Sequence, residues 1–222
     1  MISRYALYSI AELSKRFSIA AGLPKGVKPH YNNSPTITAP VIVSEAGAPV
    51  VKLMTWGLLP KGAKDTNSVF RYKTYNIPSE KIFFKHSWEL AVRESRCLVP
   101  ANGFYELNEG GEKRAFYAEL KDKSLFSFAG IYNSWQDAEG VEHGSFSILT
   151  IEPTSDMPDP RMRMPVIISR EDEARWLDPA VFDISSIRNM LRPNPSDLLN
   201  VYEVSPAVHS PKPNQPGLID HI

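Results

Sequence analysis

From residue 97 onward the chain is a succession of short apolar segments, at 97–99, 103–107, 115–120, 125–132 and 145–151, divided by turns that mostly carry Gly or Asp. Spacings this short leave no room for the crossover helix that joins parallel strands, so the segments are expected to pair antiparallel. Nineteen prolines among 222 residues point the same way, because each removes a backbone donor and ends a helix. The N-terminal half fits the same sheet. Residues 2–8 read as a strand, and 41–43 with 50–56 read as a hairpin across the Ala46-Gly47 turn. Ile10, Leu13 and Phe17 share a helical face behind a capping-box pattern, Ser9-Ile10-Ala11-Glu12. Further short helices are expected near 79–80 and at 87–93, 169–177 and 183–191, with Pro193 stopping the last. Residues 23–38 and 152–165 read as loop, 57–75 as irregular, and a strand near 200–204 precedes an irregular tail from about 207. The fold class is therefore α+β: one domain over 1–222, with a mainly antiparallel, barrel-like sheet and short peripheral helices.

Twenty-five Lys and Arg balance 25 Asp and Glu, which excludes a polybasic nucleic-acid coat or an acidic solvating tail. The balance conceals a division. Residues 1–100 hold 14 basic and 6 acidic residues (+8), whereas 101–222 hold 11 and 19 (−8). Either the halves attract each other across the fold or they present one positive surface, and composition leaves both open. The single Cys97 precludes an internal disulfide and fits a reducing compartment. No apolar run reaches the ~18 residues of a membrane span, and no apolar stretch follows Met1-Ile2-Ser3-Arg4-Tyr5. A cytoplasmic monomer without membrane association is expected.

Common catalytic signatures are absent: there is no GxGxxG after a strand, no P-loop and no GxSxG elbow. The five histidines at 30, 86, 143, 209 and 221 lie at no ligand spacing, so neither a metal nor a cofactor is expected. Cys97, between Arg96 and Leu98-Val99, reads as a small core residue. What stands out is polar residues set in apolar or tightly turned surroundings. Glu106 follows Gly103-Phe104-Tyr105 in a strand, Asn76 precedes Pro78, and Arg161 and Arg163 flank Met162 before a short apolar strand. A carboxylate inside a strand is costly unless exposed, paired or used. The bland alternative puts Glu106 on a solvent face, Asn76 in a turn and the arginines beside acids.

An ordered series of motifs extends along the chain: Arg4-Tyr5-Ala6, Tyr31-Asn32-Asn33-Ser34-Pro35-Thr36, Trp56-Gly57-Leu58-Leu59-Pro60, Phe128-Ala129-Gly130-Ile131, Arg163-Met164-Pro165-Val166-Ile167 and Val204-Ser205-Pro206-Ala207-Val208. The most specific is Arg96-Cys97-Leu98-Val99-Pro100-Ala101-Asn102-Gly103-Phe104-Tyr105-Glu106. In these residues the sequence resembles the SOS response-associated peptidase family, which senses abasic sites in single-stranded DNA. For typical members the resemblance implies a cysteine at position 2, exposed by removal of Met1. Its amine forms a Schiff base with the aldehyde of the open abasic sugar, and its thiol closes a thiazolidine, a covalent protein–DNA linkage. It further implies proton transfer by a glutamate at Glu106, orientation by an asparagine at Asn76, and help from a histidine in the loop before the Arg-Met-Pro motif.

This chain departs from that pattern at the chemistry itself. Ile2-Ser3 stands where the family has Cys-Gly, Arg161 occupies the position of the loop histidine, and Gly62 and Leu107 replace tryptophans that stack bases. The run Asn76-Ile77-Pro78-Ser79-Glu80-Lys81 also lacks the family's arginine. The expected partner is single-stranded DNA carrying an abasic site, contacted by Arg4, Arg161 and Arg163. Two readings stay open. In one, the N-terminal amine of Met1 carries Schiff-base or lyase chemistry. In the other, the chain is a noncovalent DNA-binding module or a diverged phage or mobile-element protein. The family's peptidase label implies N-terminal self-processing, which Ile2 disfavours.

Overall fold

The computed structural model describes residues 2–59, 69–70, 73–108, 113–136, 138–155, 157–158, 163–193 and 197–222. Its strands are β1 (Arg4–Leu7), β2 (His30–Asn33), β3 (Thr38–Glu45), β4 (Ala48–Trp56), β5 (Asn76–Pro78), β6 (Arg96–Ala101) and β7 (Gly103–Leu107). They continue with β8 (Ala115–Leu120), β9 (Phe126–Gln136), β10 (Glu142–Ile151), β11 (Met164–Pro165), β12 (Ile167–Ile168) and β13 (Leu199–Val204). The helices are α1 (Ile10–Arg16), α2 (His86–Glu94), α3 (Glu173–Leu177) and α4 (Ile184–Met190). All are short.

Strands pair in the order β10-β4-β3-β6-β9, and β9 pairs β10 again, which closes a five-stranded barrel. Closure leaves these strands no free edge. A second sheet, β13-β8-β7-β1-β2, lies against the barrel. Tyr5, Leu7 and Phe104 point from it into the main core, while Ala6, Tyr105 and Leu107 point outward into a smaller cluster with Tyr117, Val204, Val208 and Leu218. Both faces of β7 are therefore buried. The tail from 206 carries two short 3-10 turns, Pro206–His209 and Pro216–Ile219, whose Val208 and Leu218 are buried in that outer cluster.

Pairing is mostly antiparallel, as the turn spacing predicts, with one difference. β10 runs parallel to β4 (Phe146 opposite Trp56) and to β5 (Ile148 opposite Asn76). Strands this far apart in sequence need no local crossover, so the turns carry no signal of it. β2, inside the segment read as loop, has the polar sequence His30-Tyr31-Asn32-Asn33 and is held by backbone pairing to β1. The capping box at α1 does not form: Ser9 makes no side-chain cap. Instead Asn102 Oδ1 accepts from the Tyr8 and Ser9 amides at 2.8 and 3.1 Å, and its Nδ2 donates to Ser9 Oγ at 2.9 Å.

The Arg96–Glu106 block is used residue by residue. Buried Arg96 donates to the carbonyls of Val92 (2.8 Å), Arg93 (2.9 Å) and Asp178 (2.5 Å) and to that of Trp176. These oxygens lie at the C-terminal ends of α2 and α3, where unpaired carbonyls collect partial negative charge. One guanidinium thus closes two helices onto the barrel. Cys97 is fully buried, with burial pushing its thiol well above the usual range, so it is the core residue its neighbours suggest. At Gly103 a Cβ would lie 2.3 Å from Tyr117 Cζ and 2.6 Å from the Ala118 carbonyl oxygen; only glycine fits there.

Candidate functional site

The register of β1 against β7 sets Arg4 opposite Tyr105 and Tyr5 opposite Phe104. Continued one residue toward the N-terminus, it carries Ser3 alongside Glu106. Alternation puts Glu106 on the same face as Phe104, and the side chain is only 6% exposed. The solvent-face alternative is thereby overturned. A buried carboxylate is retained only where pairing or function supports it.

Asn76 reaches the same place from the barrel. In β5, Ile77 enters the main core, so its neighbour Asn76 turns the other way, 4% exposed. Asn76 Nδ2 donates to the Ile2 carbonyl, while Oδ1 has no partner among the described residues. Asn76 is therefore no turn residue. It grips the backbone of position 2 and leaves one buried acceptor unused. Ile2 itself is 3% exposed and belongs to the main core, so its side chain fills apolar space.

Arg163 lies beside this group. Its Nε donates to Thr150 Oγ1 at 3.1 Å, and one terminal nitrogen bonds the Thr150 carbonyl at 2.9 Å and Glu80 Oε2 at 2.7 Å. Thr150 pairs with Pro78, two residues beyond Asn76. Arg163 is thus paired with an acid, as the bland alternative has it, and it fastens the Arg-Met-Pro segment to the Asn76 segment. Arg4 is half-buried, and this desolvation lowers its guanidinium from the usual arginine range. It bonds the Ser3 carbonyl at 2.7 Å and the His209 carbonyl at 3.1 Å. Met1, Gly62 and Arg161 lie outside the described residues. The structure therefore brings Ile2, Asn76 and Arg163 into one neighbourhood, with Glu106 on the adjoining strand, and ties Arg4 to the C-terminal segment.

Sequence reasoning missed the aromatic surface beyond Glu80. Phe84 is 84% exposed, and its one signal was the Phe83-Phe84 pair between Lys81 and Lys85. Among the described residues no group of His, Cys, Asp and Glu could hold a metal ion, and no helix is long and apolar enough to cross a membrane.

A family model described as SOS response associated peptidase (SRAP) matches residues 1–211. The chain is 34% identical over 224 residues to "Abasic site processing protein YoqW" of Bacillus subtilis, covering 99% of both proteins. It is 27% identical to "Abasic site processing protein HMCES" of Rattus norvegicus, over 85% of this chain and 64% of that protein. A crystal structure of a protein from Bacteroides thetaiotaomicron superposes with a TM-score of 0.84 at 27% identity, covering 99% of each chain.

Proposed function

Since the chain belongs to the SOS response associated peptidase (SRAP) family, we propose that it binds single-stranded DNA at an abasic site and engages the open sugar through its N-terminal amine. The observation that supports this reading is the Asn76 hydrogen bond to the Ile2 carbonyl, two residues before β1, which pairs with the strand that carries the buried Glu106. The amine, on Met1 in this sequence, adds to the sugar aldehyde to give a carbinolamine, which loses water to give an imine. The departing hydroxyl needs a proton and the attacking amine must lose one, and the Glu106 carboxyl is the group assigned to both transfers. Arg4, Arg161 and Arg163 are assigned to phosphates. Without a thiol at position 2 the imine has no thiazolidine to fall into. The linkage is then reversible and opens a route to strand scission by β-elimination.

Burial of the Ile2 side chain favours a second reading, in which the same surface holds the abasic strand without covalent contact. A denaturing gel separates the two. The protein is incubated with a single-stranded oligonucleotide bearing one abasic site, with and without borohydride. Amine chemistry gives an adduct only with the reductant, and blocking the N-terminus removes it. Intact DNA and no adduct in either lane leaves the noncovalent module.

A further inference from the structure

After β5 the chain makes a 3-10 turn, Ser79–Lys81, and sends Ile82 into the core. The next residues then face outward. Phe84 amide bonds the Lys81 carbonyl at 3.0 Å, which holds the Phe84 ring in solvent between two exposed lysines. At the neighbouring Phe83 an open groove of about 540 Å³ runs between this turn and the end of α4, with Phe83, Ile151, Leu191 and Pro193 in its wall. Arg188 of α4 lies over the Phe83 ring at 4.8 Å, and Lys85 Nζ is 4.9 Å from the Trp88 ring. Two carboxylates reach the groove, Glu80 and Glu152, and Arg163 neutralises the first.

One exposed aromatic face, Phe84, between two lysines and next to half-buried rings that carry cations suits a flexible polyanion whose rings stack, which is the chemistry of single-stranded nucleic acid. A protein surface would be better served by an apolar face free of lysines at its centre. The groove also opens at Glu80, whose partner Arg163 is bonded to Thr150 in the strand that pairs with the Asn76 segment. A strand seated at Asn76 therefore has its next nucleotides within reach. We infer that the Lys81–Lys85 turn and Arg188 form a stacking platform for a base flanking the abasic nucleotide, with Phe84 as its face and Lys81, Lys85 and Arg188 on the phosphates. This inference rests on the proposed DNA-binding function.

The test is fluorescence anisotropy with single strands carrying a tetrahydrofuran abasic analogue, which has no aldehyde and reports noncovalent affinity alone. Phe84→Ala removes only exposed surface, so the variant folds. It is expected to bind roughly 5- to 150-fold more weakly, the range set by one stacked base. Phe182→Ala, at an aromatic 63% exposed beside α2, leaves affinity unchanged. Deleting the flanking base on one side of the analogue weakens the unmodified protein by the same factor and leaves Phe84→Ala indifferent. Failure of the unmodified protein to bind any strand overturns the proposed function itself. Binding by the unmodified protein that Phe84→Ala matches, at every flanking sequence, overturns the platform alone and leaves that face to a protein partner.

Discussion

Replacing Ile2 with cysteine tests whether the surroundings of position 2 are still competent for the family's chemistry. The side chain is 3% exposed in the main core. Ile2→Cys removes about two methylene equivalents, worth about 1.6 kcal/mol of transfer free energy. Incomplete collapse of the vacated space raises this to about 2 kcal/mol. For a chain of this size each kcal/mol lowers Tm by about 2–4 °C, so a fall of about 4–8 °C is expected by calorimetry. A small residue at position 2 also permits removal of Met1, which mass spectrometry verifies. Amine and thiol then stand together where Asn76 holds the backbone, and the variant should yield an adduct with abasic single-stranded DNA that survives denaturation without borohydride. Ile2→Ser is the control: it costs more stability, because its hydroxyl enters apolar space, and gives an adduct only with the reductant. A folded, Met-free Ile2→Cys protein that forms no reductant-independent adduct refutes the claim that Asn76 and Glu106 still make a working site. An unchanged Tm refutes the packing argument.

Three other outcomes follow from the same structure. Glu106→Gln keeps the shape and removes the proton carrier, so borohydride trapping should slow by about 10²-fold or more while circular dichroism stays unchanged. Glu173 accepts both Arg16 terminal nitrogens at 2.7 and 3.0 Å and the Ser127 hydroxyl at 2.7 Å, all largely buried; Glu173→Gln should cost about 3 kcal/mol in denaturant unfolding by stranding the arginine. The Asp183 carboxylate caps α4, and bonds from the Ser186 amide, then the Ser186 and Ser185 hydroxyls, hold it at about 2. A depressed carboxylate stabilises above its ordinary value and loses that contribution as pH falls through its folded one. The Tm gap between the protein and Asp183→Ala should therefore be full at pH 6 and close as pH approaches 2.

The barrel was legible because its strands announce themselves locally. Alternation and turn residues between 97 and 151 are short-range signals, and β6 to β10 follow them within a few residues at each end. The direction of Glu106 was not legible, for a physical reason. Alternation distinguishes faces only when one is wet, and every residue of β7 is buried. Asn76 was opaque for a different reason, since its burial depends on parallel pairing with a strand about seventy residues away. Arg96 likewise reads as an ordinary charge in sequence, because the carbonyls that satisfy it belong to α2 and to the end of α3 some eighty residues on. The Ser9 capping box failed because Asn102, ninety-three residues distant, takes the same hydroxyl.

These attachments also separate the packing at position 2 from what holds the strands of Asn76 and Glu106. Asn76 stands on a strand paired to the barrel, and Glu106 on a strand whose start is locked by Gly103 against Tyr117 and by Asn102 against Tyr8 and Ser9. Arg96 and Asn102 are spent on helix ends and backbone amides, and Glu106 is the only carboxylate in the Arg96–Glu106 block. Ile2, by contrast, precedes β1 on the N-terminal segment. Isoleucine at position 2 even adds apolar contact where a thiol would add less. A change at position 2 therefore costs packing there and leaves these attachments in place, whereas a change at Asn102 or Gly103 must disturb the strand that carries Glu106. On this argument Gly103→Ala should lose Tm and borohydride trapping together, whereas Ile2→Cys should separate them.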